Sequence, residues 1–182
     1  LLMDGEFPSP LEVRFAFVAQ GSDTVFNSDL LAAIDDLKNS YSAIPFAERL
    51  TTILDYVSPE TQSRLFIKTL RSYSAEDLVE VANAALADRL LTANLLSDDA
   101  ALTFAVITME STGISAEDRL DIATAALLLR DEIRSRHPDV KILANSEVML
   151  EQSSQQAMVD DLTSLMPFVI LACVLAICYC FR

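Results

Sequence analysis

The side chains that most often carry chemistry are few in this sequence and do not cluster. The single histidine, His137, precedes Pro138, and the polar part of the chain offers it no second histidine or cysteine with which to hold a metal. Three cysteines, Cys173, Cys178 and Cys180, all fall in one apolar run. On a helix their C-x-C spacing cannot close a bridge without distortion, so they read as lipid-facing or helix-packing residues. Adjacent carboxylates at Asp35-Asp36, Asp98-Asp99 and Asp160-Asp161 suggest acid/base pairs at first sight. Neighbours on a helix point in different directions, however, and the pairs fit solvated or capping groups better. There is no G-x-G-x-x-G, G-K-[ST], G-x-S-x-G or C-x-x-C. Serines and threonines are plentiful but have no evident base beside them, and read as surface and cap residues. No catalytic, cofactor-binding or metal site is expected, and the chain does not read as an enzyme.

Among the segments that would position any site, the end of the chain dominates. Leu162 to Phe181, LTSLMPFVILACVLAICYCF, is a run of 20 residues without a charge, closed by Arg182. As a helix it would span roughly 30 Å, the thickness of the hydrocarbon core, and a helix is how a lone segment satisfies its backbone in lipid. The 52% hydrophobic content is thus concentrated in the tail, and residues 1–161 read as one water-soluble domain. All 27 acidic residues precede Leu162, against 12 basic ones. Such a surface repels nucleic acid and anionic headgroups. Arg182 beyond the span favours a cytoplasmic C-terminus, which places the acidic domain outside the cytoplasm. If so, its targeting signal lies upstream of Leu1, in a preceding membrane helix.

Within the domain, Leu11, Val13, Phe15 and Phe17 alternate with Glu12, Arg14 and Ala16 as a half-buried strand, broken at Gly21-Ser22-Asp23. Asn27 or Ser28 then caps a helix through Leu30, Leu31, Ile34, Leu37 and Tyr41. From Phe46 to about Leu96 the periodicity predicts two or three short helices. Leu50, Ile53, Leu54 and Val57 mark one, Leu65, Phe66 and Leu70 another, and Ser74-Ala75-Glu76-Asp77 caps a third. Leu102, Phe104 and Val106 predict a central strand, apolar on both faces. Ser115-Ala116-Glu117-Asp118 opens a long helix closed near His137-Pro138, and Val140, Ile142 and Ala144 form a third strand. The twice-occurring Ser-Ala-Glu-Asp has unlike flanks and marks two helix starts, not a repeat. Phe15, Phe17, Phe66, Phe104 and Met109 are expected in the core. From Ser146 no strong breaker occurs before Pro167, so the chain is expected to run stiffly into the membrane.

The strand VRFAFV, the segment VFNSDLLAAIDDL, the late strand-helix-strand unit and the ending MVDDLTSLMPFVILACVLAICYCFR together resemble the exported loop of resistance-nodulation-division transporters, in the MMPL-like, hopanoid-exporter-like branch. The resemblance covers nearly the whole chain. Asp160 or Asp161, Leu165, Pro167 and the terminal Phe181-Arg182 resemble the family's entry into, and exit from, the helix after the loop.

The resemblance implies an α+β fold: a porter-type βαβ domain of the ferredoxin-like split βαβ kind. It would occupy 1–161, carry a helical insertion at about 46–96, and precede one transmembrane helix at 162–182. It further implies a proton-driven exporter of hydrophobic or lipid-like molecules in the cell inner membrane, with this periplasmic domain forming part of the substrate conduit. Its partners would be the bilayer, the substrate, and the remaining transmembrane helices and second exported loop of the same transporter, with room for a homo-oligomer. The family's proton-relay carboxylates lie in membrane helices outside this sequence. The alternative reading is a membrane-anchored extracytoplasmic sensory or binding domain of a signalling protein.

Overall fold

Strand β1 (Glu12–Val18) follows from the alternation in EVRFAFV: Val13, Phe15 and Phe17 are fully buried, while the residues between them stay accessible. A computed structural model describes residues 11–20, 24–110 and 113–146. Helix α1 (Ser28–Ser40) starts where the Asn27 side chain accepts a hydrogen bond from the Leu30 N–H at 2.8 Å. It buries Leu30, Leu31, Ala33, Ile34 and Leu37, a helical stripe. A short 3₁₀ turn over Tyr41–Ala43 and the left-handed backbone of Phe46 (φ 62°) then redirect the chain into strand β2 (Ala47–Thr51).

Helices α2 (Ala75–Ala87) and α3 (Arg89–Asn94) come next in the chain, then strand β3 (Leu102–Met109), helix α4 (Ala116–Arg136) and strand β4 (Lys141–Ser146). The protein is a mixed α+β structure with one four-stranded sheet in the order β2-β3-β1-β4, every neighbouring pair antiparallel. Two β–α–β units interleave: β3 lies between β1 and β2, and β1 lies between β3 and β4. One sheet face presents Val13, Phe15, Phe17, Thr103, Ala105, Ile107, Met109 and Ile142, all buried. The buried stripes of α1 and α4 (Ile122, Ala123, Ala126, Leu129, Ile133) complete that core, with α4 packed on both β4 and α1. The opposite face carries Ala16, Val18, Leu102, Phe104 and Val106, half-buried, and Leu143, exposed. Strand β3 is therefore central as expected, yet sealed on one face and not on both.

Both Ser-Ala-Glu-Asp segments form the same capping box. Ser74 Oγ and Ser115 Oγ each accept from the aspartate N–H three residues on at 3.1 Å, and Asp77 and Asp118 each accept from the serine N–H at 2.8 Å. Two similar helix starts, as read from the sequence, account for the repetition.

The predicted helix through Leu50, Ile53, Leu54 and Val57 is corrected by strand β2 and the irregular segment after it. Leu50 pairs with Ile107 across the sheet, Thr52 Oγ1 accepts from the Leu54 N–H to cap a 3₁₀ turn, and Val57 bridges to Arg64. The apolar spacing imitated a helix, but antiparallel pairing with β3 overrode it, helped by the β-branched Thr51-Thr52 pair. Leu65, Phe66 and Leu70 likewise mark no α-helix; a 3₁₀ turn covers Leu70–Ser72. The connection between β2 and β3, residues 52–101, carries α2 and α3 and covers most of the stretch, about 46–96, where a helical insertion was expected. Its returning end is tied to the sheet where Thr103 Oγ1 and the Phe104 N–H both donate to the Leu95 carbonyl, each at 2.8 Å.

The expected turn at Gly21-Ser22-Asp23 and the expected stiff run from residue 147 into the membrane, with the transmembrane helix at 162–182, lie outside the described residues. Among the described residues, no helix is long and apolar enough to cross a membrane.

Candidate functional site

The β2–β3 connection builds a half-open cavity of about 550 Å³ between α2 and the loop that leaves β2. Its loop wall is a closed turn. The Leu65 N–H donates to the Tyr56 carbonyl at 3.1 Å, the Ser58 N–H to the Ser63 carbonyl at 2.9 Å, and Gln62 adopts the left-handed backbone (φ 55°) that the reversal requires. Beyond it, the Ile67 and Lys68 N–H groups both donate to Tyr73 Oη, at 2.8 and 2.9 Å, so one phenol holds two consecutive amides. Tyr73 packs edge-on against Phe66 (5.6 Å between centroids), and Phe66 stacks on Phe26 at 6.5 Å, which anchors this wall to the segment leading into α1.

Helix α2 supplies the second wall. Asp77, Glu80, Val81, Ala84 and Asp88 line the cavity at helical spacings that bring them to one face. The alanines keep that face low, leaving space that larger side chains would fill.

Four carboxylates (Glu60, Asp77, Glu80, Asp88) and two cations (Arg64, Lys68) line the cavity. Lys68 Nζ pairs with Asp77 at 3.1 Å and stands 5.6 Å from the Tyr73 ring centroid. Hydrogen bonds from the Ser74 backbone and hydroxyl, with a smaller contribution from Lys68, hold Asp77 at about 2. Desolvation pushes the Asp88 carboxyl up, but the neighbouring Ser58 and Tyr56 hydroxyls and the Leu91 and Leu90 N–H groups outweigh it and leave Asp88 below the ordinary aspartate value. Both carboxylates are thus ionised at neutral pH. The Tyr56 hydroxyl is buried without a hydrogen-bond partner. Asp88 acts on it electrostatically without being placed for a well-formed hydrogen bond. Burial first, and that carboxylate second, push the phenol up to about 12.

The residues singled out in the sequence go elsewhere. His137 Nε2 lies 3.0 Å from Asp36 Oδ2, and Arg136 approaches the same oxygen at 3.4 Å, so these side chains join the end of α4 to α1 at the surface. Asp99 accepts from Ser97 Oγ at 2.6 Å and from the Ala101 N–H at 3.0 Å, which closes the turn before β3. Among the described residues no group of three or more His, Cys, Asp or Glu is placed to hold a metal ion. Asp160, Asp161, Leu165, Pro167, Phe181 and Arg182 lie outside the described residues. The cavity itself was missed in the sequence because its loop wall carries no periodic pattern, so nothing local shows that the 56–68 loop faces α2. The available signal was the acidic and small residues on one face of α2, in phase with Asp77, together with the two tyrosines before it.

No protein-family model, no curated protein and no solved structure matches the chain.

Proposed function

We propose that the chain belongs to a proton-driven transporter of the resistance-nodulation-division type, in its MMPL-like or hopanoid-exporter-like branch, exporting hydrophobic or lipid-like molecules. Residues 1–161 are the periplasmic porter-type domain and contribute to the substrate conduit; 162–182 are the following helix in the inner membrane. The observation that carries this reading is the sheet order β2-β3-β1-β4 with its two interleaved β–α–β units, which is the arrangement of the ferredoxin-like split βαβ. The uncharged run of 20 residues after an acidic domain supports it, because that run is long enough to enter a bilayer and the domain's charge keeps it in water. Its partners are then the bilayer, the rest of the transporter and a lipid-like substrate.

Proteolysis of spheroplasts expressing the full-length protein tests the placement. The acidic domain is expected to be cut from outside; protection until lysis overturns the proposal.

The cavity favours a second reading, a membrane-anchored binding or sensory domain. Efflux of a hydrophobic dye separates the two. A proton-driven exporter loses efflux on addition of an uncoupler, whereas a sensor has no efflux to lose.

A further inference from the structure

We propose that the cavity between α2 and the 56–68 loop is a binding site for a small organic cation, an ammonium or guanidinium group carried on an apolar body. Such a site is compatible with either reading of the whole protein. A volume of about 550 Å³ fits a small molecule rather than a metal ion or a polypeptide segment. The wall is of two kinds: Tyr56, Leu65, Tyr73, Val81, Ala84 and Ala87 are mainly apolar and suit a hydrocarbon body, and the carboxylates around them suit a positive head.

The sign follows from which charges are already engaged. Lys68 and Asp77 neutralise each other at 3.1 Å, leaving Glu60, Glu80 and Asp88 against Arg64. An entering anion would meet a surplus of negative charge, in a domain already strongly acidic. A cation would meet complementary charge. The protein displays the preferred chemistry within its own chain, where the Lys68 ammonium lies between an aromatic face and a carboxylate. The Tyr56 ring belongs to the apolar lining, and its hydroxyl is buried beside the Asp88 carboxylate. Held protonated well above neutral pH, it adds no charge of its own.

The test is calorimetric titration of the purified full chain in detergent with benzyltrimethylammonium, and in parallel with benzenesulfonate and with the neutral butylbenzene. The cation is expected to bind saturably, the sulfonate not at all, and the neutral compound more weakly than the cation. In Glu80→Gln, a substitution at an exposed position, affinity for the cation should fall about three- to tenfold, and Tm should not change. Ala84→Phe, which places a ring in the cavity, should abolish binding. Should either variant fail to fold, the comparison of the three ligands on the unsubstituted chain still decides. Absence of saturable cation binding at millimolar concentration, equal or tighter binding of the sulfonate, or binding of butylbenzene as tight as that of the cation would each overturn the assignment.

Discussion

The two capping boxes provide a controlled experiment within one chain. Ser74→Ala and Ser115→Ala remove the same acceptor, a serine Oγ 3.1 Å from the N–H of the aspartate three residues on. Each therefore costs its helix start about 1 kcal/mol locally. The helices differ in what depends on them. Helix α4 buries Ile122, Ala123, Ala126, Leu129 and Ile133 in the main core, so loosening its first turn is coupled to global unfolding. Helix α2 buries Ala85 alone among its residues. Its first turn opens without breaching the sheet core. Ser115→Ala is expected to lower Tm by about 2–4 °C, the shift that 1 kcal/mol produces in a chain of this size. Ser74→Ala should leave Tm within about 1 °C while speeding hydrogen exchange of the amides in the first turn of α2 by about fivefold, the same 1 kcal/mol read as a local equilibrium. Thermal unfolding followed by circular dichroism, with exchange resolved by mass spectrometry, measures both. Equal Tm losses in the two variants would refute the view that the β2–β3 connection opens independently of the core.

The acid limb of stability should follow Asp77. Its folded value of about 2 lies below the ordinary aspartate value of about 3.9, so the stabilisation is complete above that ordinary value and is lost as pH falls from there through about 2. Asp77→Asn should remove this pH dependence from α2 exchange, and an unchanged acid profile in the variant would contradict it. Ile107→Ala should cost about 2–5 kcal/mol in denaturant unfolding, because Ile107 is fully buried opposite both Val13 and Leu50; a loss below about 1 kcal/mol would mean the sheet face is not the core. Phe46→Gly should raise Tm, since a side chain at φ 62° is strained by about 1 kcal/mol and this ring is 41% exposed; a fall in Tm would show that the ring's packing outweighs the backbone term.

Much of the sheet core was legible because its pattern is local. The period-two alternation of Val13, Phe15 and Phe17 and the helical stripe from Leu30 to Leu37 each lie within a few residues, and the two Ser-Ala-Glu-Asp caps carry their hydrogen bonds inside four. Strand β2 was not legible because Thr51 is the one β-favouring residue in Ala47–Thr51, too weak a local signal to mark a strand. Four of its five residues pair with β3 partners 55 to 62 positions away, and the bulge between Ala47 and Arg49 spoils even the alternation. The cavity escaped for a related reason. Tyr56 and Asp88 lie 32 positions apart on different elements, and Asp88 has a local role of its own as the cap of α3. Local sufficiency hid the shared role.

The placement of the cavity reflects how the chain divides its apolar residues. Sheet, α1 and α4 take the large buried side chains Phe15, Phe17, Leu30, Leu31, Ile34, Leu37, Ile107, Met109 and Ile122, and Ile53 and Leu91 anchor the two ends of the β2–β3 connection, whereas α2 and the 56–68 loop bury only Ala85 and Phe66 and leave Ile67, Val79 and Leu86 accessible. Segments with little buried apolar surface open at low cost, and binding sites are drawn from such segments because a ligand must enter before it is enclosed. A ligand held between α2 and the 56–68 loop joins two pieces that the chain itself ties mainly through Tyr73 and Lys68, so its binding energy stabilises these two pieces more than the sheet. Saturation with benzyltrimethylammonium should therefore slow exchange of the α2 and 56–68 amides and leave β1 and β3 unchanged. Uniform protection across the sheet would mean that the β2–β3 connection and the core unfold as one unit.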